Sequence, residues 1–348
     1  MPPPASPYQP YAALHERPSG AGDQRPTAMQ ILHDEGLLEG ALVGKTFLIT
    51  GCSSGLGIET ARALYATGAD VFVTVRPTKA TKGDEVLQAI KKSVPGGKGR
   101  LELVLMDLSI PQSVRGAADD FLKKSRILNV LICNAGVMMC PMSLTPDEGF
   151  EMHMASNHFG HFLLFQLLKE TLLASATPEN SSRVVIVSSA GHRFSPVRFD
   201  DMNFARDGYN PILAYGQSKT ANIYMASSIE RHFGHRRLHA YSVHPGVILD
   251  TDLPRYQTND SLDSDFNMEE LLPLMKSIPQ GAATQVWAAT ARHLNDRGGS
   301  YLADCGECGP FEEGASVAAA GYGPHAYDDH AEETLWRLSC EAFVIANE

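Results

Sequence analysis

Thr46-Phe47-Leu48-Ile49-Thr50-Gly51-Cys52-Ser53-Ser54-Gly55-Leu56-Gly57 is the stretch on which the fold turns. Its first five residues are apolar or β-branched, a composition suited to a buried strand. Glycines follow at 51, 55 and 57, and an amphipathic helical pattern runs over Gly55–Thr67. Glycine there lets the chain turn tightly and lets backbone amides approach a ligand, with the positive end of the next helix behind them. Taken alone, the triplet also fits a tight strand–helix turn that binds nothing.

Beyond this stretch the alternation repeats. Strands are expected at Thr46–Thr50, Asp70–Val75, Leu101–Met106, Leu128–Cys133, Arg183–Ser188 and His239–His244, with a short one at Ser300–Leu302. Helices are expected between them at Gly55–Thr67, Thr81–Ser93, Gln112–Ser125, Phe150–Ala174 and Tyr215–Phe233, then at Gln280–His293 and Ala331–Ala346. Strands separated by helices of this length pair in parallel, because each crossover has room to return along the sheet with right-handed hand. The expectation is a doubly wound α/β domain over residues 42–305. It is preceded by a Pro-rich, partly helical extension (1–41) that wraps the surface or is disordered, and followed by a Gly/Ala-rich one (306–348) ending in a helix.

Composition excludes several classes. The 348 residues are 43% hydrophobic and 20% charged, the make-up of a folded globular chain. A net charge of −11 opposes nucleic acid and anionic membrane surfaces as partners. No apolar run has the ~18–20 residues that cross a bilayer, and the proline-rich start is not expected to act as a secretory leader. Six scattered cysteines read as reduced thiols, so the expected compartment is the cytoplasm. Cys305-Gly306-Glu307-Cys308 lacks a second ligand pair, and no metal site is expected.

If the glycines cradle a pyrophosphate, the residue after the second strand lies near the adenine ribose. That residue is Arg76, with Lys79 and Lys82 nearby. An acidic residue would pair with a free 2′-hydroxyl, whereas arginine favours a 2′-phosphate, so the expected cofactor is NADP(H) rather than NAD.

At this point the chain resembles the short-chain dehydrogenase/reductase family over about residues 43 to 305. Gly51, Gly55 and Gly57, together with Ser53, Ser54 and Leu56, match its glycine motif, and Asp107-Leu108 its acidic dipeptide after the third strand. Asn134-Ala135-Gly136, Asn157, Ser189, Tyr215-Gly216-Gln217-Ser218-Lys219 and Pro245-Gly246-Val247 follow in the family's order. The resemblance implies a single Rossmann-type domain with a parallel seven-stranded sheet flanked by helices. It also implies hydride transfer between nicotinamide and a carbonyl or alcohol carbon. Tyr215 is then the general acid/base, Ser189 a hydrogen-bond donor to the substrate oxygen, Lys219 a contact to the nicotinamide ribose, and Asn157 the holder of a helix irregularity and a water. The segments from Asn157 to Leu164 and from Gln280 to Thr284 are similar to the retinol-dehydrogenase-like branch, and Gly22–Thr27 resembles fungal members of secondary metabolism. A dimer or tetramer through the long helices beginning near Phe150 and Tyr215 is implied too, with the extra termini placed to block or extend that surface.

The chemistry is coherent on its own terms. Tyr215 and Lys219 are four residues apart, on one helix face. A phenol of pKa about 10 is a poor base at neutral pH, and a neighbouring ammonium would draw it down. Two departures from the family stand out. The interval from Ser189 to Tyr215 is enlarged, with His192, Phe194, Phe204 and Tyr209 inside it, so residues 190–212, with 247–278, are expected to shape the substrate pocket. The hydroxyl residue that contacts the carboxamide falls one place late, at Thr251. Met138, Met139 and Met142 read either as an adaptable pocket wall or as core filling, and His153, His158 and His161 as packing or surface residues. The expected activity is interconversion of a ketone or aldehyde with an alcohol on an apolar small molecule. The competing reading is a catalytically silent dinucleotide sensor on the same fold.

Overall fold

The structure is a computed structural model that describes residues 7–256, 268–316 and 318–347. Among the described residues eight strands form one sheet: β1 (Thr46–Ile49), β2 (Asp70–Val75), β3 (Leu101–Leu105), β4 (Val130–Cys133), β5 (Ser182–Val187), β6 (Leu238–His244), β7 (Tyr301–Ala303) and β8 (Gly306–Glu307). Their order across the sheet is β3-β2-β1-β4-β5-β6-β7-β8, and every pairing except β7–β8 is parallel. The strand order reverses between β1 and β4, which opens a crevice beyond their carboxyl ends where ligands of such sheets sit. β1, β4, β5 and β6 are buried throughout their lengths, as strands covered on both faces must be.

The helices are α1 (Ala12–His15), α2 (Ala28–Asp34), α3 (Leu56–Ala66), α4 (Ala80–Ser93), α5 (Pro111–Lys124), α6 (Gly160–Ser175), α7 (Pro211–Phe233), α8 (Met268–Leu271), α9 (Ile278–Gly281), α10 (Ala283–Thr290) and α11 (Asp329–Phe343). One core packs α5, α6, α7 and α11 against the sheet, and the other packs α2, α3, α4 and α10 against its opposite face. None of the described helices is long and apolar enough to cross a membrane. All six cysteines are buried thiols.

The structure differs from the seven expected parallel strands by a short eighth one. Asp304 and Cys305 both take left-handed backbone conformations, at φ 54° and 57°, so the chain reverses in two residues and β8 returns antiparallel to β7. That is the geometry of a tight hairpin without the Asn-Gly or Asp-Gly pair that usually announces it. Three helices also differ from expectation. The long helix expected over Phe150–Ala174 divides, at the irregularity that the resemblance implies around Asn157, into a wide π turn at Met154–Phe159 and α6. α7 starts a turn earlier than Tyr215, at Pro211, because Asn210 caps it by accepting from the amides of Ile212 and Leu213. The expected Gln280–His293 helix is split into α9 and α10.

Both ends of the described chain are tied down. The Tyr8 ring stacks on His293 at 3.8 Å, and Tyr8 exchanges bonds with Glu307 of β8, amide to carboxylate and Glu307 amide to Tyr8 carbonyl. Arg25 is buried, paired with Asp23 at 2.8 Å, and its guanidinium donates to the carbonyls of Gly20, Leu274 and Met275. At the other end Trp336 of α11 stacks on His232 of α7 and meets Phe162 of α6 edge-on.

Candidate active site

The chain turns out of β1 through Gly51, with φ 75°, and enters α3 after Gly55, with φ 62°. Side chains are excluded here by contact as well as by conformation. A β-carbon on Gly51 would lie 2.7 Å from the Ala135 Cα, and one on Gly57 only 2.5 Å from the Gly51 carbonyl oxygen. The loop is braced by the segment after β4. Asn134 Nδ2 donates to the Thr50 carbonyl at 2.8 Å, and the Ala135 amide donates to Thr50 Oγ1 at 2.9 Å. Thr50 Oγ1 in turn lies 2.8 Å from His161 Nε2, while His161 Nδ1 lies 2.9 Å from the Asn157 carbonyl. Burial pushes the His161 pKa down to about 4, so the ring is neutral: Nδ1–H donates to Asn157 and Nε2 accepts from Thr50. His161 therefore ties the π turn to the glycine loop, a role that its sequence neighbourhood gave no means to read.

A cavity of about 1000 Å³ opens above the carboxyl ends of the central strands. Gly51, Ser53, Ser54, Gly55 and Leu56 form one wall, and Arg76, Asp107 and Leu108 lie toward one end. Asp107 is oriented locally, accepting from the amide and hydroxyl of Ser109. Arg76 has no carboxylate partner among the described residues, whereas Lys82 pairs with Glu85 and, like Lys79, does not line the cavity. Amides of the first turn of α3 have no acceptor within the helix, and no β-carbon projects from Gly51 or Gly55. This donor set suits a pyrophosphate, and the residues present fit a nicotinamide dinucleotide.

Further along, Ser189, Tyr215 and Lys219 line the same cavity. Ser189 Oγ accepts from the Gly191 amide at 3.0 Å, and a β-carbon on Gly191 would lie 2.9 Å from the Tyr215 ring and 3.4 Å from Ser189 Oγ, so the two side chains flank one point. Ser188 Oγ instead donates to the Lys219 carbonyl at 2.8 Å, tying β5 to α7. Lys219 Nζ donates to the Val187 carbonyl at 2.9 Å and lies 5.6 Å from the centre of the Tyr215 ring. Asn157 sits inside the π turn, where its side chain exchanges two bonds with the Val137 backbone and donates to Ser218 Oγ. A β-carbon on Gly136 would lie 3.3 Å from Asn157 Oδ1 and 3.6 Å from Lys219 Nζ, so these groups converge on one point of the wall.

The electrostatics depart from the simple expectation for this pair. Burial pushes the Tyr215 phenol up to about 12, against the lowering effect of the Ser189 hydrogen bond, and the same burial brings the Lys219 amine down to about 7. Desolvation outweighs the expected pull of the ammonium on the phenol, because an amine that is itself short of its proton stabilises a phenolate weakly. At neutral pH the tyrosine is a proton donor, and the lysine is poised to gain or release a proton.

The remaining wall is largely apolar. Met138, Met139 and Met142 line it, joined by Met152; Phe194 and Ile212 come from residues 190–212, and Leu249 and Leu253 from residues 247–278. Residues 257–267 of the latter segment lie outside the described residues. Pro245, Gly246 and Val247 follow β6 along the rim, and the Thr251 methyl stands 3.0 Å from where a β-carbon of Gly55 would be, over the glycine loop. Ala318 of the C-terminal tail also reaches the cavity; it lies in a run of small residues that carries no functional signal. His153, His158 and His161 are all buried, and Cys305 and Cys308 are buried by the β7–β8 turn, away from the cavity lining.

The sequence profile of the short chain dehydrogenase family matches residues 45–261. The short-chain dehydrogenase/reductase prx1 of Penicillium roqueforti is 46% identical over 328 residues, covering 94% of this chain and 93% of that protein. Retinol dehydrogenase 12 of Mus musculus is 36% identical, covering 87% of each. Among solved structures, the angucycline C-6 ketoreductase LanV with bound NADP superposes with a TM-score of 0.57 at 26% identity, covering 76% of this chain and 95% of that one.

Proposed function

Because the chain belongs to the short-chain dehydrogenase/reductase family, in its retinol-dehydrogenase-like branch, we propose that it is an NADP(H)-dependent oxidoreductase interconverting a ketone or aldehyde with an alcohol on an apolar small molecule. One observation carries this reading: Ser189, Tyr215 and Lys219 line the same cavity as the glycine loop. NADPH, when bound, supplies the hydride. The amides opening α3 receive its pyrophosphate, and the Arg76 guanidinium receives the 2′-phosphate that distinguishes it from NADH.

The protein's own groups handle the proton. Ser189 donates to the substrate oxygen and stabilises the charge that develops there. Tyr215, protonated at neutral pH, delivers its proton to that oxygen in the reducing direction. Lys219, with its pKa near 7, restores the proton to Tyr215 and contacts the nicotinamide ribose, while Asn157 keeps open the π turn on which that corner of the cavity rests. The methionine-lined wall accommodates an apolar body, and a substrate of secondary-metabolite type agrees with the ketoreductase LanV being among the structural neighbours.

The test is NADPH oxidation by the purified protein with a panel of aromatic aldehydes, ketones and retinal. Turnover is expected, and Tyr215→Phe should lower kcat by about 10²–10⁴-fold while NADPH binding, followed by its fluorescence, stays within a factor of about two. Cofactor binding without turnover on any member of the panel would replace this reading by that of a silent sensor.

A further inference from the structure

A buried cluster that the reaction does not use sits behind the methionine wall. Both backbone polar groups of Cys140 are held by side chains. Its amide donates to His153 Nε2 at 3.2 Å, and its carbonyl accepts from the Tyr209 hydroxyl at 2.7 Å. The two side chains meet at one carboxylate: Glu151 Oε1 lies 2.7 Å from His153 Nδ1 and 3.3 Å from the Tyr209 oxygen. Glu151 is fully buried, and its other oxygen accepts from the amides of His153 and Met154 at 2.9 and 3.1 Å. Proton accounting leaves one arrangement. Nε2 accepts from Cys140, so the ring proton is on Nδ1 and points at the carboxylate, while the single Tyr209 proton goes to the Cys140 carbonyl.

The residue next to this grip is strained. Met139 has φ 54°, a left-handed conformation that a non-glycine residue adopts at a cost and keeps only when its surroundings enforce it. Met138, Met139 and Met142 face the cavity with flexible side chains, so the shape of that wall depends on the backbone beneath them. Tyr209 belongs to the enlarged 190–212 segment, and Asn203 of the same segment accepts from the Glu151 amide at 2.9 Å. The His153 ring also lies edge-on to Tyr215, with centroids 6.1 Å apart, so the cluster abuts the site of proton transfer.

We propose that Glu151, His153 and Tyr209 form a latch that fixes the Met138–Met142 wall and so determines which carbonyl substrates fit, a role that rests on the oxidoreductase reading above. The three are positioning residues: the enlarged segment reaches across through Tyr209 to hold a strained stretch in the one geometry that shapes the pocket. Substrate bulk, rather than hydride or proton transfer, is what they control.

Two readouts on Tyr209→Phe test this. In deuterium exchange followed by mass spectrometry, the peptide spanning 138–143 should exchange about tenfold faster than in the unaltered protein, the loss of roughly one hydrogen bond, while the peptide holding Tyr215 is unchanged. In steady-state kinetics with NADPH, KM for all-trans-retinal should rise about tenfold, with KM for benzaldehyde and both kcat values within a factor of about two. Glu151→Gln should shift both readouts in the same direction; if that variant does not fold, Tyr209→Phe alone decides. Unchanged exchange at 138–143, or an equal fall in kcat for both aldehydes at constant KM, overturns the latch. Absence of turnover by the unaltered protein defeats the oxidoreductase reading instead, and the exchange measurement then decides the latch by itself.

Discussion

Lys219 and Arg76 illustrate how far a single residue can be understood from its type and place. A lysine four residues after a tyrosine was readable as a helical pair; that the pair would be dry was not, because burial is a property of the packed molecule. The consequence is a pH effect of definite sign. The ordinary amine titrates at 10.5 and the folded one at about 7, so between those values the unfolded chain holds a proton that the folded chain lacks, and stability rises with pH across that window. Urea midpoints at about pH 7 and about pH 9 should therefore climb more for the unaltered protein than for Lys219→Met; parallel profiles would mean that the amine is solvated. Arg76 makes a separate prediction. Arg76→Glu should weaken NADPH binding by about 10–100-fold, the value of one lost charged hydrogen bond, and leave NADH binding equal or better, as read by fluorescence titration of both nucleotides.

Among the elements, the central strands were legible because parallel strands covered on both faces carry continuous apolar runs, such as Val184-Val185-Ile186-Val187. The interruptions were harder to read. The π turn at Met154–Phe159 carries no proline or glycine; it exists because Asn157 bonds sideways to Val137 and Ser218, partners far off in sequence. α7 begins a turn before the Tyr215 that the Tyr-x-x-x-Lys spacing marks, at the strong local signal Asn210-Pro211. The β7–β8 reversal has no sequence marker, because Asp304 and Cys305 are held at positive φ by their surroundings. The β1–α3 element makes the sharpest prediction: with a methyl placed 2.5 Å from the Gly51 carbonyl oxygen, Gly57→Ala should cost about 1–3 kcal/mol in thermal unfolding and lower NADPH affinity at least about tenfold. An unchanged affinity would show that the loop has room to move.

At the scale of the whole molecule, the two extensions are integral to the fold. The proline-rich start signalled an absence of regular structure, but gave no sign that Arg25 would be buried against the segment preceding α9, where its partners are backbone carbonyls that any sequence supplies. Arg25→Ala leaves Asp23, whose side chain is 3% exposed, without its cation, and should destabilise the chain by about 3–5 kcal/mol in equilibrium urea unfolding. A loss under about 1 kcal/mol would mean that the N-terminal arm is only loosely attached. At the other end α11 lies on α6 and α7, the helices expected to pair between subunits, with Trp336 inserted among Phe162, Phe165 and Phe233. An association through that face would have to include α11.

The distribution of sulfur has a practical meaning. Cys140 lines the cavity wall, whereas Cys52, Cys133, Cys305, Cys308 and Cys340 are enclosed away from it, so an alkylating reagent meets none of these five on the native surface. Modification of those five has to wait for the interior to open, and the rate at which they take up label therefore clocks excursions away from the native state, with Cys133 and Cys340 timing one core and Cys52 and Cys305 the other.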